Sequence, residues 1–174
     1  ENHGSLIDVT NNGIFNLCEY AVLTNNGGDW APCVDVDGEY PIHDSDGVVI
    51  KILHGYFNMY GGSICNNDGD GVRSKGIITI AGGEICNNVG HAITSYGGDI
   101  IMTGGSICHN GERAVNLGSG RTTIGERPSH EYHGKLSISG DAVIPASEEV
   151  FVPENSTIKV IGYLSEGAGI YNIQ

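Results

Sequence analysis

The chain of 174 residues is poor in cations: eight Lys and Arg stand against 21 Asp and Glu, giving a formal net charge of −13. Nucleic acid and anionic membranes are poor partners for such a chain, because binding them depends on cationic side chains that displace counterions. Neutral sugars, cations and basic proteins remain open. The acidity also has a plain structural use, since it keeps stacked strands from associating sideways. No apolar run approaches the roughly 20 residues that cross a bilayer, so membrane insertion is not expected. A basic segment followed by an apolar stretch, the mark of a secretion signal, is absent too. Glu1 is not an initiator, and the chain is expected to be an excised or processed part of a larger multidomain protein.

Apolar residues at helical spacing are also missing, and in their place the chain has 28 glycines and a repeat. The phrase Gly61-Gly-Ser-Ile-Cys-Asn-Asn67 returns as Gly82-Gly-Glu-Ile-Cys-Asn-Asn88 and as Gly104-Gly-Ser-Ile-Cys-His-Asn110, at intervals of 21 and 22 residues. A period just above 20 without helical spacing predicts a solenoid, in which each copy buries its apolar face only by stacking on the next. Degenerate outer copies at Phe15–Cys18 and Leu136–Ser139 bring the expectation to about five coils, each with two strands. Three inward columns follow from period two: Phe15, Phe57, Ile78, Ile100, Leu136; Leu17, Met59, Ile80, Met102, Ile138; and Val22, Ile64, Ile85, Ile107, Val143. Asn25, Asn67, Asn88 and Asn110 share a corner column, where amides can cap turn backbone and bond to one another.

Five cysteines need two explanations. Cys65, Cys86 and Cys108 share a column with Leu23 and Ile144, which predicts packed thiols. Neighbouring strands about 4.8 Å apart are within reach of a disulfide, yet in-register parallel side chains give it awkward dihedrals. A straight ladder of thiolates does not supply the convergent ligands of a metal site. Cys18 and Cys33 lie outside the column and are better placed to bridge each other, and the odd total leaves a free thiol.

The Gly-Gly-x-Ile-x-x-Asn phrases, preceded by Phe/Ile-x-Met-x, and the closing stretch from Val150 to Leu164 resemble the right-handed parallel β-helix repeats of large bacterial surface proteins. The broader relatives are adhesin-like and pectate-lyase-like β-helix proteins. The resemblance is strong over residues 47–118 and weaker over 1–26 and 134–174. It implies one all-β domain over residues 1–174, a right-handed parallel β-helix of about five coils, with residues 146–174 as a C-terminal cap. It further implies an exported, extracellular or cell-surface location and a binding or adhesive role, with a glycan or a host or cell-surface protein as partner. Fold resemblance does not by itself specify activity.

Two interruptions break the repeat, at residues 27–46 and 119–135. The first lies between coils whose equivalent Phe15 and Phe57 stand two repeat lengths apart, and it could hide a degenerate coil built on Cys33–Val36. It holds the sole Trp30, with Tyr40, His43 and six acids. Flat rings beside carboxylates suit a sugar, so Trp30 and Tyr40 are candidate stacking surfaces and Asp35, Asp37 and Glu39 candidate hydroxyl acceptors. The same Asp35-x-Asp37-Gly-Glu39 run packs hard oxygen ligands for calcium, without the remaining spacing of an EF-hand, and a solvated acidic loop is the simpler account. The second interruption is locally basic and carries His130, Glu131 and His133, which lack a third metal ligand.

Catalysis offers an alternative. Asp70, His91 and Arg113 fall in one column with Asp68 nearby, which could be a proton-transfer site or a ladder of surface charges. Polygalacturonase-type β-helix enzymes carry Asn-x-Asp, Asp-Asp, Gly-His-Gly and Arg-x-Lys; Asn66-Asn67-Asp68, Gly90-His91-Ala92 and Arg73-Ser74-Lys75 resemble them only in part, with Asp-Asp missing and the order changed. The leading expectation is an extracellular bacterial adhesin-like module that recognises carbohydrate. Its alternatives are a polysaccharide lyase or glycoside hydrolase acting through Asp68, Asp70, His91 and Arg113, and a purely structural stalk segment.

Overall fold

A computed structural model describes residues 7–9, 12–24, 50–52, 55–118 and 133–174. Among these residues the chain is all-β, without a helix, and runs through successive passes of three short strands. The passes are β1 (Ile7–Val9), β2 (Ile14–Leu17) and β3 (Val22–Thr24), then β4 (Ile50–Ile52), β5 (Tyr56–Met59) and β6 (Ser63–Cys65). Next come β7 (Val72–Ser74), β8 (Ile77–Ile80) and β9 (Glu84–Cys86), followed by β10 (Ile93–Ser95), β11 (Asp99–Met102) and β12 (Ser106–Cys108). The last are β13 (Val115–Asn116), β14 (Lys135–Gly140) and β15 (Val143–Ile144), then β16 (Val150–Phe151), β17 (Thr157–Leu164) and β18 (Gly169–Ile170). The first strand of every pass joins one six-stranded sheet, the second another and the third another, each in sequential order. All pairings between these strands are parallel, an arrangement compatible with the solenoid expected from the repeat.

Three strands per pass, instead of two, follow from the glycine pairs. Gly62, Gly83 and Gly105 take φ of 74°, 83° and 76°, turning the chain between the second and third strands. A Cβ at Gly83 would also lie 2.6 Å from the Gly62 carbonyl oxygen, so no other residue fits beneath its neighbour.

The two inward columns that run from Phe15 and Leu17 are in register along the second sheet. The third column differs from expectation at its ends. Leu23 pairs with Ile64, and Val22 pairs with Ser63 and is 59% exposed. Val143 likewise pairs with Ser106, which places Ile144 in line with Ile107. The reason is one additional corner residue. Six positions separate Leu17 from Leu23 and Ile138 from Ile144, but five separate Met59 from Ile64, and Tyr20 with φ 67° takes up the extra step in the first pass. Inward side chains of all three sheets meet in one core that includes Phe57, Ile78, Ile85, Ile93, Met102 and Val115. The stacked rings of Phe15 and Phe57, 5.6 Å apart, carry it toward the first pass.

Phe15 pairs directly with Phe57 and Leu23 with Ile64, so no degenerate coil is stacked between these two passes. The 146–174 segment, expected to close the stack, adds a further strand to each sheet through β16, β17 and β18. Its register slips between Ile138 and Gly140, and Val160, Ile161 and Tyr163 on β17 are exposed.

The asparagine ladder is in place from Asn67 to Asn110, and Asn25 lies outside the described residues. Asn67 Nδ2 donates to Asn88 Oδ1 at 2.8 Å and Asn88 Nδ2 donates to Asn110 Oδ1 at 3.0 Å. The same oxygens accept the Asn67 and Asn88 backbone N–H groups, and the three amides also donate to the carbonyls of Leu23, Ile64 and Ile85. Asn88 is buried and bonded on both sides, whereas Asn110 lies at the half-buried end. Asn88→Ala should therefore lower unfolding free energy by about 2–3 kcal/mol, and Asn110→Ala by less, in urea denaturation. Equal costs would show that the ladder has no interior.

Candidate functional site

Trp30, Tyr40, Asp35, Asp37 and Glu39, expected to hold ligand or calcium, lie outside the described residues, as do Cys33 and residues 119–132. Three other places on the described surface concentrate polar chemistry.

The first is the column of Asp70, His91 and Arg113, which the structure brings together one pass apart. Asp70 is buried, and its Oδ2 accepts from Arg73 Nε at 3.3 Å, Arg73 Nη2 at 3.2 Å and Thr94 Oγ1 at 2.8 Å. Its Oδ1 accepts the His91 backbone N–H at 2.8 Å. His91 repeats the pattern, Nδ1 accepting the Arg113 N–H at 3.0 Å. That bond leaves the proton of the neutral ring on Nε2, which faces Glu112 Oε2 at 2.9 Å. Arg113 ends the run: its Nε meets Glu149 Oε1 and its guanidinium lies 4.4 Å above the Phe151 ring. Asp70 and His91 thus each cap the backbone one pass further on. Asp68 is exposed on the preceding turn, and the Asp70 carboxylate has four donors around it.

The second is an open groove at the corner between the first and second sheets, with a volume of about 340 Å³. Asn12, Tyr56, Lys75 and Asp99 line it over a floor that includes Gly55, Gly76 and Gly98. The floor is glycine because consecutive passes touch there: a Cβ on Gly98 would come 2.0 Å from the Gly76 carbonyl oxygen. With no side chains at the corner, the groove crosses four passes, or three strand spacings of about 4.8 Å each. Tyr56 is 41% exposed, and Asn12, Lys75 and Asp99 carry donors and acceptors. Asp99 also pairs with Lys135 at 3.5 Å.

The third is the cysteine column, where the structure overturns the packed-thiol expectation. Cys65 and Cys86 form a disulfide with a Cα–Cα separation of 4.7 Å, inside the range such bridges use. Both are the last residues of their strands, and Asn66 and Asn87 follow with φ of 58° and 53°. The chain turns away immediately, so no further ladder pair constrains the side chains. Cys65, Cys86 and Glu84 are the one grouping of potential metal ligands among the described residues, but the two sulfurs are joined to each other and offer no thiolate. Cys108 is half-buried and free, in register with Cys86, and Cys18 is free and exposed. Burial raises the Cys108 thiol above its ordinary pKa, and the carboxylates of Glu84 and Glu148 push it the same way.

Glu148 escaped sequence reasoning because it lies outside the repeat. The Asn66 and Asn87 N–H groups donate to the carbonyls of Cys86 and Cys108 one pass on, and the equivalent His109 N–H donates to the Glu148 carboxylate instead. Its other oxygen, Oε2, is buried without a hydrogen-bond partner. The groove was missed for a related reason: Tyr56, Lys75 and Asp99 come from three different passes and form no local motif.

No family model matches the chain, and no curated protein or solved structure matches it significantly.

Two outcomes follow from this geometry. Asp70→Ala, which removes a buried carboxylate with four donors, should cost about 3 kcal/mol in chemical denaturation; a loss below about 1 kcal/mol would show that the column is peripheral to stability. Alkylation of Cys108 at neutral pH should be slower than that of Cys18, because the raised pKa leaves little thiolate. Glu84→Gln should speed it by removing a negative charge, as read by peptide mapping.

Proposed function

We propose that the chain is a right-handed parallel β-helix module of a bacterial surface protein that acts outside the cell as an adhesin-like binder of carbohydrate, with the corner groove as its sugar site. The observation that carries this reading is the composition of the groove. A half-exposed tyrosine ring stands beside amide, ammonium and carboxylate groups on a glycine floor that crosses four passes. An extended oligosaccharide needs such an open trough, where one ring stacks on the apolar face of a pyranose and dispersed polar groups meet its hydroxyls. The net charge of −13 favours neutral or cation-bridged glycans over nucleic acid. In this reading Trp30 and Tyr40 add stacking surface, Asp35, Asp37 and Glu39 supply acceptors or a calcium site, and the stacked sheets hold the surface rigid within a longer chain.

The saturation of Asp70 and the engagement of His91 with its neighbours favour binding over catalysis, because a general acid or base needs a proton-exchanging atom directed at substrate. A glycan array on the purified chain, run with calcium and again with chelator, tests the proposal. Selective binding is expected, with Tyr56→Ala weakening it about tenfold, or about 1.4 kcal/mol, while circular dichroism stays unchanged. Trp30→Ala and chelator sensitivity report on the first interruption. Silence across a broad array, or undiminished binding in both variants, would sink the carbohydrate reading.

A further inference from the structure

The cysteine column holds three sulfurs and one bridge. We propose that it is a thiol–disulfide exchange site in which the bridge moves one strand along the sheet, from Cys65–Cys86 to Cys86–Cys108, and carries the free thiol from β12 to β6.

Placement is the ground for this. Cys86 is in register with Cys65 on one side and with Cys108 on the other, so its two neighbours stand in equivalent positions. The existing bridge spans a Cα–Cα distance of 4.7 Å, and parallel strands in register hold the next pair at about the same spacing, within the range a disulfide accepts. Cys108 approaches Cys86 from the side opposite Cys65, because the three residues follow one another along the direction in which strands stack. Displacement at sulfur needs that arrangement, with attacking and leaving sulfurs on opposite sides of the central one.

The step is balanced within the column. The Cys108 thiol loses its proton to solvent, which reaches this half-buried side chain. Its thiolate forms a bond to Cys86 Sγ, and the Cys65–Cys86 bond breaks with its electron pair on Cys65 Sγ, which then takes up a proton. Nothing is oxidised or reduced overall, and no co-reactant is required.

The surroundings set the direction of control. Burial, and after it the carboxylates of Glu84 and Glu148, holds the proton on Cys108, and Glu148 is anchored beside it through the N–H of His109, the next residue. The resting thiol is thereby kept in its unreactive form at the accessible end of the column. Cys65 and Cys86, each 6% exposed, are shielded from external thiols, so exchange from Cys108 is the favoured route to opening their bridge.

Acid-quenched disulfide mapping tests this on the full chain. The protein is incubated under mildly alkaline, folded conditions without added thiol, quenched, digested and mapped at several protein concentrations. Both Cys65–Cys86 and Cys86–Cys108 linkages are expected, with a rate independent of concentration and accelerated about two- to threefold by Glu84→Gln. Cys65→Ser should form the Cys86–Cys108 bridge on oxidation while retaining the parallel-sheet circular dichroism spectrum. Persistence of Cys65–Cys86 alone through the incubation would overturn the proposal. So would Cys86 and Cys108 both remaining free thiols in folded, oxidised Cys65→Ser, or bridges that recruit Cys18 or Cys33.

Discussion

Everything described depends on passes that lie one strand spacing apart and in register, so that each side chain sits on its counterpart from the pass before. At about 4.8 Å, neighbouring side chains cannot ignore one another. Aliphatics gain, since like packs on like, and the columns through Phe57, Met59 and Ile64 become a single core. Amides gain as well, since each can donate to the next and accept from the last. Charges gain only when signs alternate or backbone donors intervene, and the run of Asp70, His91 and Arg113 uses both devices.

Corners obey the same constraint in a different form. Where a pass bends, its backbone presses on the one below, and a Cβ has no room. Glycine at positions 55 and 98 satisfies this and leaves a trough as a by-product. The candidate binding surface is thus a consequence of stacking: side chains are excluded from the corner line, and those flanking it, Tyr56, Lys75 and Asp99, become walls.

Much of this was legible in the residues. The repeated phrase locates the second and third sheets, and period two along Phe15–Leu17 and Phe57–Met59 identifies the inward side chains. The asparagine column was legible because turn chemistry and stacking agree at Asn67, Asn88 and Asn110. Register at the outer corners was not: Val22 and Leu23 are both apolar, and only the path through Tyr20 decides which one faces the core. The disulfide was not legible either. Opposition to a bridge between parallel strands assumes that both cysteines lie inside continuing ladders, and Cys65 and Cys86 instead end theirs. Glu148 and the groove depend on which residues distant in sequence become neighbours on consecutive passes, and no local pattern encodes that.

A column of identical groups satisfies its interior members and leaves its ends. Asn88 has a partner above and below, but Asn110 has an amide partner on one side only. Arg113, at the end of its run, turns to Glu149 and Phe151, residues outside the repeat. Glu148 replaces a missing corner carbonyl and keeps an oxygen unbonded. Three cysteines can make one bridge, so one thiol is always left over, and the protein leaves it at the end beside Glu148. Reactive capacity in a stacked fold therefore gathers where a column stops, because only there does the geometry offer a group more bonding capacity than its neighbours can fill.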